Sequence, residues 1–474
     1  MGGTIGHHAY NKVQAWIPTE KIEELAAYPD IRMIQTPFGP GASGTVSEGL
    51  SVVGADIWHQ RGLTGSGVKV GLVDVGFYGY SSLLGKELPS KVSVRKMGSS
   101  SDFLSIEHGA ACAEIVYDIV PDAGMYLVNA GDYDVDFHNA VSWLETQKVN
   151  VISSSIGINF STLCELMYEI VYGSRWSSSY YSMQLEYYTQ IRDQWNETIN
   201  QAVAQGITWV QAAGNDGEKR WKSMFTDTDG DGYLNFTPDR NYNEIELPSG
   251  FSYGKEVYVL LAWGGDQDSS TDDFNLFITD TSDKIVAQST ISQAEIPEFP
   301  MEVCKFTPVP GKKYFAKVQN YKALPQVVTL NIGADSFAKF NICLPSGTVK
   351  MNPPADNPNV ITAGAVSYTS PNTIETYSSQ GPNADDVIKP DFVAPDGVST
   401  SSYGSSGFSG TSAAAPYVAG ISALVKQAHP DYTPAQIRSY LERYALDLGD
   451  PGKDNVYGSG LVQLPESECI SDVR

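Results

Sequence analysis

The sequence has little positive charge and no long apolar run. Of its 474 residues, 31 are Lys or Arg and 55 are Asp or Glu, so the net charge is −24 with His neutral. This balance argues against binding of nucleic-acid phosphates and favours solubility and cation binding. No apolar run approaches the about 20 residues of a membrane span. The opening MGGTIGHHAYNK lacks the order of a signal peptide, so we expect either a cytosolic protein or a natural start further upstream.

Cysteine is also scarce, with five in all, and none of them forms a C-x-x-C pair, which argues against a zinc site. Cys304 and Cys343 lie in one region, and the sequence leaves open whether they form a disulfide or stay as buried free thiols. The length allows about three domains and a core large enough to fold without disulfides.

Apolar segments alternate with helical ones from about residue 50 to 217 and again after residue 350. GVKVGLVDV, NVISSSIG and ITWVQAAGN predict buried strands, whereas HGAACAEIVYDIV and SAAAPYVAGISALVKQAH predict helices. This alternation is typical of an α/β fold, a doubly wound parallel sheet with helices on both faces. Residues 218–350 instead show short alternating segments between turns, which predicts an inserted antiparallel β-sandwich.

The chain therefore divides into four predicted parts. Residues 1–45 form a small α+β segment and linker, 46–217 the first part of the α/β domain, 218–350 the β-sandwich, and 351–474 the second part with a C-terminal tail. A Tyr- and Ser-rich stretch at 159–195 interrupts the first part.

Four residues carry candidate chemistry. Ser412 stands where a Gly-rich loop enters a helix, a position that favours developing negative charge. His108 begins a helix and supplies the base that a nucleophilic Ser needs. Asp74 ends a buried strand, where parallel sheets gather ligands, and is placed to orient that base. Asn215 ends another strand and offers an oxyanion donor.

In this order and context, Asp74, His108, Asn215 and Ser412 resemble the subtilisin-like serine proteases, over about residues 48–217 and 351–465. The resemblance implies that Ser412 attacks the scissile carbonyl, His108 acts as base and then acid, and Asp74 holds the imidazole tautomer. It assigns the oxyanion to the Asn215 side chain and the Ser412 N–H. It also implies that the substrate contacts five residues on two strands: Ser155, Ile156, Gly157, Ala213 and Gly214.

Three features depart from this pattern or add to it. The common Asp-Thr-Gly is Asp74-Val75-Gly76 here, which loses a hydroxyl. The β-insert resembles jelly-roll domains attached to secreted proteases. Residues 1–45 resemble part of a subtilase propeptide, which implies an inhibitory segment, a cleavage near Gly41–Glu48, and a given start that lies downstream of the natural one.

The insert also carries an acidic pattern that predicts calcium. Asp227, Asp229 and Asp231, followed by Gly232 and Tyr233, match the first half of a calcium loop, with Tyr233 offering its carbonyl. Position 12 is Pro238 rather than Glu, so a complete EF-hand is not expected. A weaker second cluster comprises Asp266, Asp268, Asp272 and Asp273. The alternative for either cluster is a solvated acidic turn.

We thus expect an extracellular or cell-surface, monomeric serine endopeptidase with structural calcium, acting on protein or peptide substrates. Two alternatives stay open: a surface-binding or self-processing protein that uses the same core as a scaffold, and a sedolisin-type acid protease. The latter would carry Glu in place of His108 and Asp in place of Asn215. Substrate specificity is not predicted.

Overall fold

The structure is a computed structural model of the chain. It describes residues 4–9, 12–16, 21, 24–25, 27–28, 45–98, 103, 105–132, 134–157, 164–165, 167–169, 172, 178–247, 254–264, 272–292, 300–334, 338–342, 351, 353–383 and 385–466. Two compact units are present, residues 1–44 and 45–474.

The strands of both units are, in chain order, β1 (Thr4–Ala9), β2 (Lys12–Trp16), β3 (Lys69–Asp74), β4 (Ser93–Arg95), β5 (Gly124–Asn129), β6 (Val151–Ser154), β7 (Thr208–Ala212), β8 (Arg220–Met224), β9 (Asn243–Glu246), β10 (Val257–Trp263), β11 (Asp273–Thr279), β12 (Ile285–Ser289), β13 (Met301–Phe306), β14 (Tyr314–Lys322), β15 (Val327–Gly333), β16 (Lys339–Phe340), β17 (Ile361–Ser367), β18 (Phe392–Asp396), β19 (Val398–Thr400) and β20 (Gly404–Phe408). The helices are α1 (Gly49–Val52), α2 (Ala55–Gln60), α3 (Tyr80–Leu83), α4 (His108–Ile119), α5 (Asp134–Gln147), α6 (Ser178–Ala204), α7 (Thr411–Ala428) and α8 (Pro434–Tyr444).

In the first unit, β1 and β2 form an antiparallel hairpin. The sequence predicts β2, within KVQAWI, but not its partner β1. The further strand expected over IRMIQ lies outside the described residues, as does the linker at 38–44.

Seven parallel strands form the central sheet of the second unit, in the order β18-β17-β7-β6-β3-β5-β4. Val70 and Leu72 of β3 pack on one face with α4 and α7, whereas Val73 packs on the other with α5 and α6. Both faces are therefore buried, which explains why these strands are continuously apolar. The doubly wound α/β sheet predicted from the sequence is confirmed.

Small residues bring the two helices of the first face close together. A Cβ added to Gly420 of α7 would lie 2.6 Å from Cβ of Ile119 in α4. Ala413, Ala414 and Ala415 at the start of α7 are fully buried. Because α4 begins at His108 and α7 begins at Thr411, this packing brings the starts of both helices to the same edge of the sheet.

Two antiparallel sheets occupy much of residues 220–340. One has the order β13-β10-β15-β8 and the other the order β12-β11-β14-β9-β16. Their shared core takes alternate residues of each strand: Val257, Val259, Leu261 and Trp263 from β10, and Phe274, Leu276 and Ile278 from β11. This period of two is the pattern of a β-sandwich.

The Tyr-rich stretch, where it is described, packs against this β-sandwich. The rings of Tyr168 and Tyr258 lie 5.9 Å apart, and Lys305 Nζ lies 4.6 Å from the Tyr168 ring centre. Tyr172 donates a hydrogen bond from its hydroxyl to Ser289 Oγ at 2.6 Å. The two interruptions of the α/β domain thus contact each other.

A buried ion pair lies at the β17–β18 edge of the central sheet. Lys389 Nζ lies 2.7 Å from Asp391 Oδ2 and donates to the carbonyl of Val360 at 2.8 Å. Burial lowers the pKa of Lys389 to about 8. Burial alone would raise the pKa of Asp391, but the nearby cations, Lys389 first among them, hold it well below its usual range.

Candidate active site

Two predicted catalytic side chains meet at the carboxyl end of β3. Asp74 is 1% exposed, and its Oδ1 accepts a hydrogen bond from His108 Nδ1 at 2.7 Å. Gly109 permits this approach, because a Cβ there would lie 2.5 Å from the carbonyl oxygen of Gly76. A carboxylate only accepts hydrogen bonds, so Nδ1 carries the proton and Nε2 is left as the base.

The surroundings of His108 adjust its basicity. Burial would lower the pKa of His108, but the charge and hydrogen bond of Asp74 outweigh it, so the pKa is raised above its ordinary value. The side chain keeps 22% of its surface exposed, and the Phe408 ring packs against it edge-on at 5.3 Å. The imidazole is therefore held in place while its outer edge remains accessible.

Phe408 lies on β20, which pairs with β19, and the turn between these two strands is hydrogen-bonded to α4. Glu114 of α4 is 2% exposed and accepts hydrogen bonds from the backbone N–H groups of Ser401 and Ser402 and from the Ser402 hydroxyl. No local sequence pattern marks Glu114, because a Glu within a helix gives no sign of the loop that it binds.

Ser412 is the second residue of α7, directly after a loop that ends at Gly410 (φ 113°). Its carbonyl accepts from Ser155 Oγ at 3.1 Å and from Cys112 Sγ at 3.4 Å, which joins α7 to β6 and α4. No hydrogen bond joins the Ser412 hydroxyl to His108 in the described part of the chain. Such bonds are often long without substrate and tighten when it binds.

Asn215 is oriented by the first residue of α7. Its Oδ1 accepts from the Thr411 backbone N at 3.0 Å and from Thr411 Oγ1 at 3.1 Å. Thr411 Oγ1 in turn accepts from the Gly214 N–H at 3.0 Å. With Oδ1 directed at Thr411, the amide nitrogen faces the loop before Ser412, where a Cβ on Gly410 would lie 3.1 Å from Nδ2. An amide nitrogen carries two N–H donors, and the contact of this one with a substrate oxygen stays a prediction.

A second residue, Asp396, positions the same loop. Asp396 is 1% exposed, and its Oδ2 accepts from the Gly410 N–H at 2.8 Å and from the Tyr377 hydroxyl. Burial raises the pKa of Asp396 to about 6. Neither Asp396 nor Thr411 was singled out from the sequence, although KPDFVAPDGV and GTS contain them.

The predicted substrate-binding residues lie side by side beyond the ends of two paired strands. Ser155, Ile156 and Gly157 follow β6, and Ala213 and Gly214 follow β7. Gly157 is exposed, whereas the Ile156 carbonyl is already bound by Gln211 Nε2 at 2.6 Å. Their contact with substrate stays a prediction.

The acidic loop gathers three predicted metal ligands. Carboxylate oxygens of Asp227, Asp229 and Asp231 lie within 4.8 Å of one another, and all three residues are exposed. Asp227 accepts from the N–H groups of Gly230 and Gly232 at 2.7 and 3.0 Å, and these bonds lower its pKa against the opposing effect of desolvation. The Tyr233 N–H donates to Asp231 Oδ1 at 2.8 Å. Converging oxygens of this kind fit a hard cation such as calcium.

Of the second acidic cluster, the structure describes Asp272 and Asp273. Asp266 and Asp268 lie outside the described residues. Asp272 accepts from Leu324 N at 3.1 Å and Gln326 Nε2 at 2.8 Å, and Asp273 is 5% exposed on β11.

The sequence leaves open whether Cys304 and Cys343 form a disulfide, and the structure describes the first of these two cysteines. Cys304 is a buried free thiol in β13, and burial raises its pKa. Cys343 lies outside the described residues.

A family profile described as the subtilase family, peptidase S8, matches residues 65–231 and 343–460, more than half of the chain. The chain belongs to the subtilase family. The residues between the matched ranges contain most strands of the β-sandwich. Among relatives, the chain is 37% identical over 117 residues to M-protease of Shouchella clausii and to Subtilisin Savinase of Lederbergia lenta. Each match covers 25% of this chain, and 29% and 40% of those proteins. The chain thus spans less than half the length of these relatives.

Among solved structures, the CspB protease of Clostridium perfringens is similar to this subtilase, with a TM-score of 0.54 and 16% identity, over 88% of this chain and 96% of that one. At this identity the likeness shows the fold alone. Within the family pattern, Val75 replaces the usual Thr, but its backbone N–H still donates to Asp74 Oδ1 at 2.7 Å. The side chain of Val75 is 42% exposed.

Proposed function

We propose that this subtilase is a serine endopeptidase that hydrolyses peptide bonds through Ser412, His108 and Asp74, with Asn215 in the oxyanion hole. The observation that carries the proposal is the 2.7 Å hydrogen bond between Asp74 Oδ1 and His108 Nδ1. It stands at the sheet edge where α7 begins, with Ser412 as the second residue of that helix. This arrangement leaves Nε2 unprotonated, as general-base catalysis requires.

The reaction would proceed in two steps. Ser412 Oγ attacks the substrate carbonyl carbon while His108 Nε2 takes the hydroxyl proton, and Asp74 stabilises the imidazolium that forms. The negative oxygen accepts from Asn215 Nδ2 and the Ser412 N–H. His108 then protonates the leaving amine, and water attacks the acyl-enzyme to release the second product and restore Ser412.

The sedolisin alternative finds no support at these positions. That mechanism needs Glu and Asp where this chain has His108 and Asn215. Here His108 is bound to Asp74, and Asn215 accepts from the Thr411 N–H through its amide oxygen.

A structural calcium ion at the acidic loop is part of the proposal. Asp227, Asp229 and Asp231 would hold it, together with the Tyr233 carbonyl, and the ion would supply charge neutralisation to an exposed loop of the β-sandwich. Ligand sets this open bind calcium at the weak end of the known range, about 0.1 to 1 mM, which suits extracellular modules. We therefore propose an extracellular or cell-surface location. No helix among the described residues meets the length and hydropathy needed to cross a bilayer.

Three further points complete the proposal. The propeptide-like segment within residues 1–45 would act as an inhibitor that is cut from the enzyme near Gly41–Glu48, and the β-sandwich would be a jelly-roll-like insert in the catalytic domain. Protein or peptide chains would be the substrates, and the enzyme would act as a monomer.

Casein hydrolysis tests the proposed activity. The full chain is incubated with casein, with and without a serine-directed phosphonate, beside the Ser412→Ala variant. A Ser409→Ala variant is the matched control, because Ser409 is an exposed hydroxyl in the same loop. We expect hydrolysis by the wild type and Ser409→Ala, and none by Ser412→Ala or the inhibited enzyme. Casein and the N-terminal segment both left intact by the wild type would contradict the proposal.

A further inference from the structure

The second compact unit begins at Thr45, and its first backbone nitrogen contacts a carboxylate. The Thr45 nitrogen lies 3.0 Å from Glu87 Oε1 and 3.1 Å from Oε2. The boundary between the two units falls between Gly44 and Thr45. A single amide N–H is therefore shared between the two oxygens of one carboxyl group. An ammonium group at the same place would supply three N–H donors and a positive charge.

The surroundings of this contact are acidic. Asp118 Oδ2 accepts from the Ser47 N–H at 2.7 Å, two residues after Thr45. Burial raises the pKa of Asp118 to about 7, and the charges of Glu87, Glu114 and Glu48 contribute to the rise.

The acidic cluster comprises Glu48, Glu87, Glu114 and Asp118. In the described part of the chain, these four carboxyl groups accept hydrogen bonds from backbone amides and hydroxyls, and none is paired with Lys, Arg or His. Two further titratable groups face the cluster, Tyr117 of α4 and Tyr417 of α7, and the pKa of each phenol is raised by burial and by the nearby carboxylates. Among the described residues, the cluster therefore brings four carboxyl groups together without a cation.

We propose that Thr45 becomes the first residue of the mature enzyme and that its α-ammonium is bound by the Glu87 carboxylate. This proposal rests on the proposed peptidase function. Hydrolysis breaks the C–N bond between Gly44 and Thr45 and consumes one water. Gly44 is left with a carboxylate, and Thr45 receives the amine, which is protonated at neutral pH. The cut therefore creates a cation beside an acidic cluster, on a nitrogen that is already in contact with Glu87.

This ion pair would change the titration of the new terminus. A free α-amino group has a pKa of about 7.7 to 8.0. A bound carboxylate favours the charged form, so the pKa of the Thr45 amine is raised in the folded enzyme. The stabilisation is then complete below about pH 7.7 and is lost as the pH rises through the raised value. The uncut chain has no amine there and lacks this dependence.

The first experiment identifies the terminus. The wild-type full chain is allowed to mature and its N-terminal residues are read by Edman degradation. We expect the sequence Thr-Val-Ser, from Thr45. A different first residue, or an uncut chain in a preparation that hydrolyses casein, overturns the proposal.

The second experiment does not depend on the enzyme's own activity. In the Ser412→Ala full chain, residues 41–44 are replaced by Ile-Glu-Gly-Arg, so that factor Xa cleavage after folding leaves Thr45 as the N-terminus. Acetylation of the Thr45 amine by acetic anhydride is followed by mass spectrometry between pH 6 and 10. Glu87→Gln removes the charge, and Glu244→Gln, a partly buried carboxylate of β9, is the matched control.

At pH 7 we expect the Thr45 amine to be acetylated about tenfold more slowly in the cleaved parent than in cleaved Glu87→Gln. A difference of one unit in the pKa of this amine gives a factor of about ten. The melting temperature should rise on cleavage in the parent and in Glu244→Gln, but not in Glu87→Gln. Equal acetylation rates in the parent and Glu87→Gln would overturn the capture of the terminus. Because the protease used here is factor Xa, such a failure is distinct from a failure of the peptidase proposal.

Discussion

Thr411→Val tests how Asn215, the proposed oxyanion donor, is oriented. Valine keeps the branched shape of threonine but removes the hydroxyl that donates to Asn215 Oδ1 and accepts from the Gly214 N–H. The Thr411 backbone bond to Asn215 Oδ1, at 3.0 Å, remains. Asn215 therefore loses one of its two fixed contacts, and Gly214 loses its acceptor.

The size of the effect follows from these contacts. Removing a whole oxyanion donor costs about 100- to 1000-fold in kcat in subtilisin. Because one of the two bonds that orient Asn215 survives, we expect a smaller loss, about tenfold in kcat, with KM nearly unchanged since the donor acts on the transition state. The unpaired Gly214 N–H should also lower the free energy of unfolding by about 1 to 2 kcal/mol.

Kinetics with a chromogenic peptide anilide separate these effects. Thr411→Ser is the matched control, because it restores the hydroxyl and should restore most of kcat. In an Asn215→Ala background, Thr411→Val should cost little further activity, since the group it orients is already gone. An unchanged kcat in Thr411→Val, or an equal loss in both backgrounds, would refute the reasoning.

Three further predictions follow from the same structure. Because the pKa of His108 is raised, kcat/KM should rise with pH through a midpoint above about 6.5. Asp74→Asn should lower kcat about 10,000-fold and shift that midpoint to lower pH. A midpoint that does not move in Asp74→Asn would contradict the contact between Asp74 and His108. A chelator should lower the melting temperature of the wild type but not of Asp229→Asn; equal responses would argue against calcium at this loop. Lys389→Met should lower the free energy of unfolding by about 3 kcal/mol in urea titrations, because Asp391 stays buried with one partner fewer; a neutral result would show that the pair is dispensable.

Much of the fold could be predicted from periodicity. Continuous apolar strands such as KVGLVD indicate burial on both faces, and the structure places Val70 and Val73 on opposite faces of the sheet. The alternation of buried and partly buried residues from Tyr314 to Val318 of β14 likewise indicates a sheet with one buried face. The partner strand β1 was not predicted, because TIGHHA has neither an alternating pattern nor a turn signal that distinguishes it from a tail.

The candidate site was predicted less evenly. The residues proposed to perform the chemistry stand in recognisable positions: Asp74 at a strand end, and His108 and Ser412 at helix starts. The residues that orient these side chains do not stand in recognisable positions, because they act through contacts between segments that are distant in the sequence. Asp396 contacts Gly410, 14 positions further along the chain, and no local pattern records that contact.

The central claim is that Ser412 is the nucleophile. The most direct measurement treats the full chain with a serine-directed phosphonate and locates the adduct by mass spectrometry while casein hydrolysis is followed in parallel. We predict one adduct, on Ser412, formed in step with the loss of hydrolysis and absent after His108→Ala. An adduct on another residue, or hydrolysis that persists after Ser412 is fully modified, would contradict it.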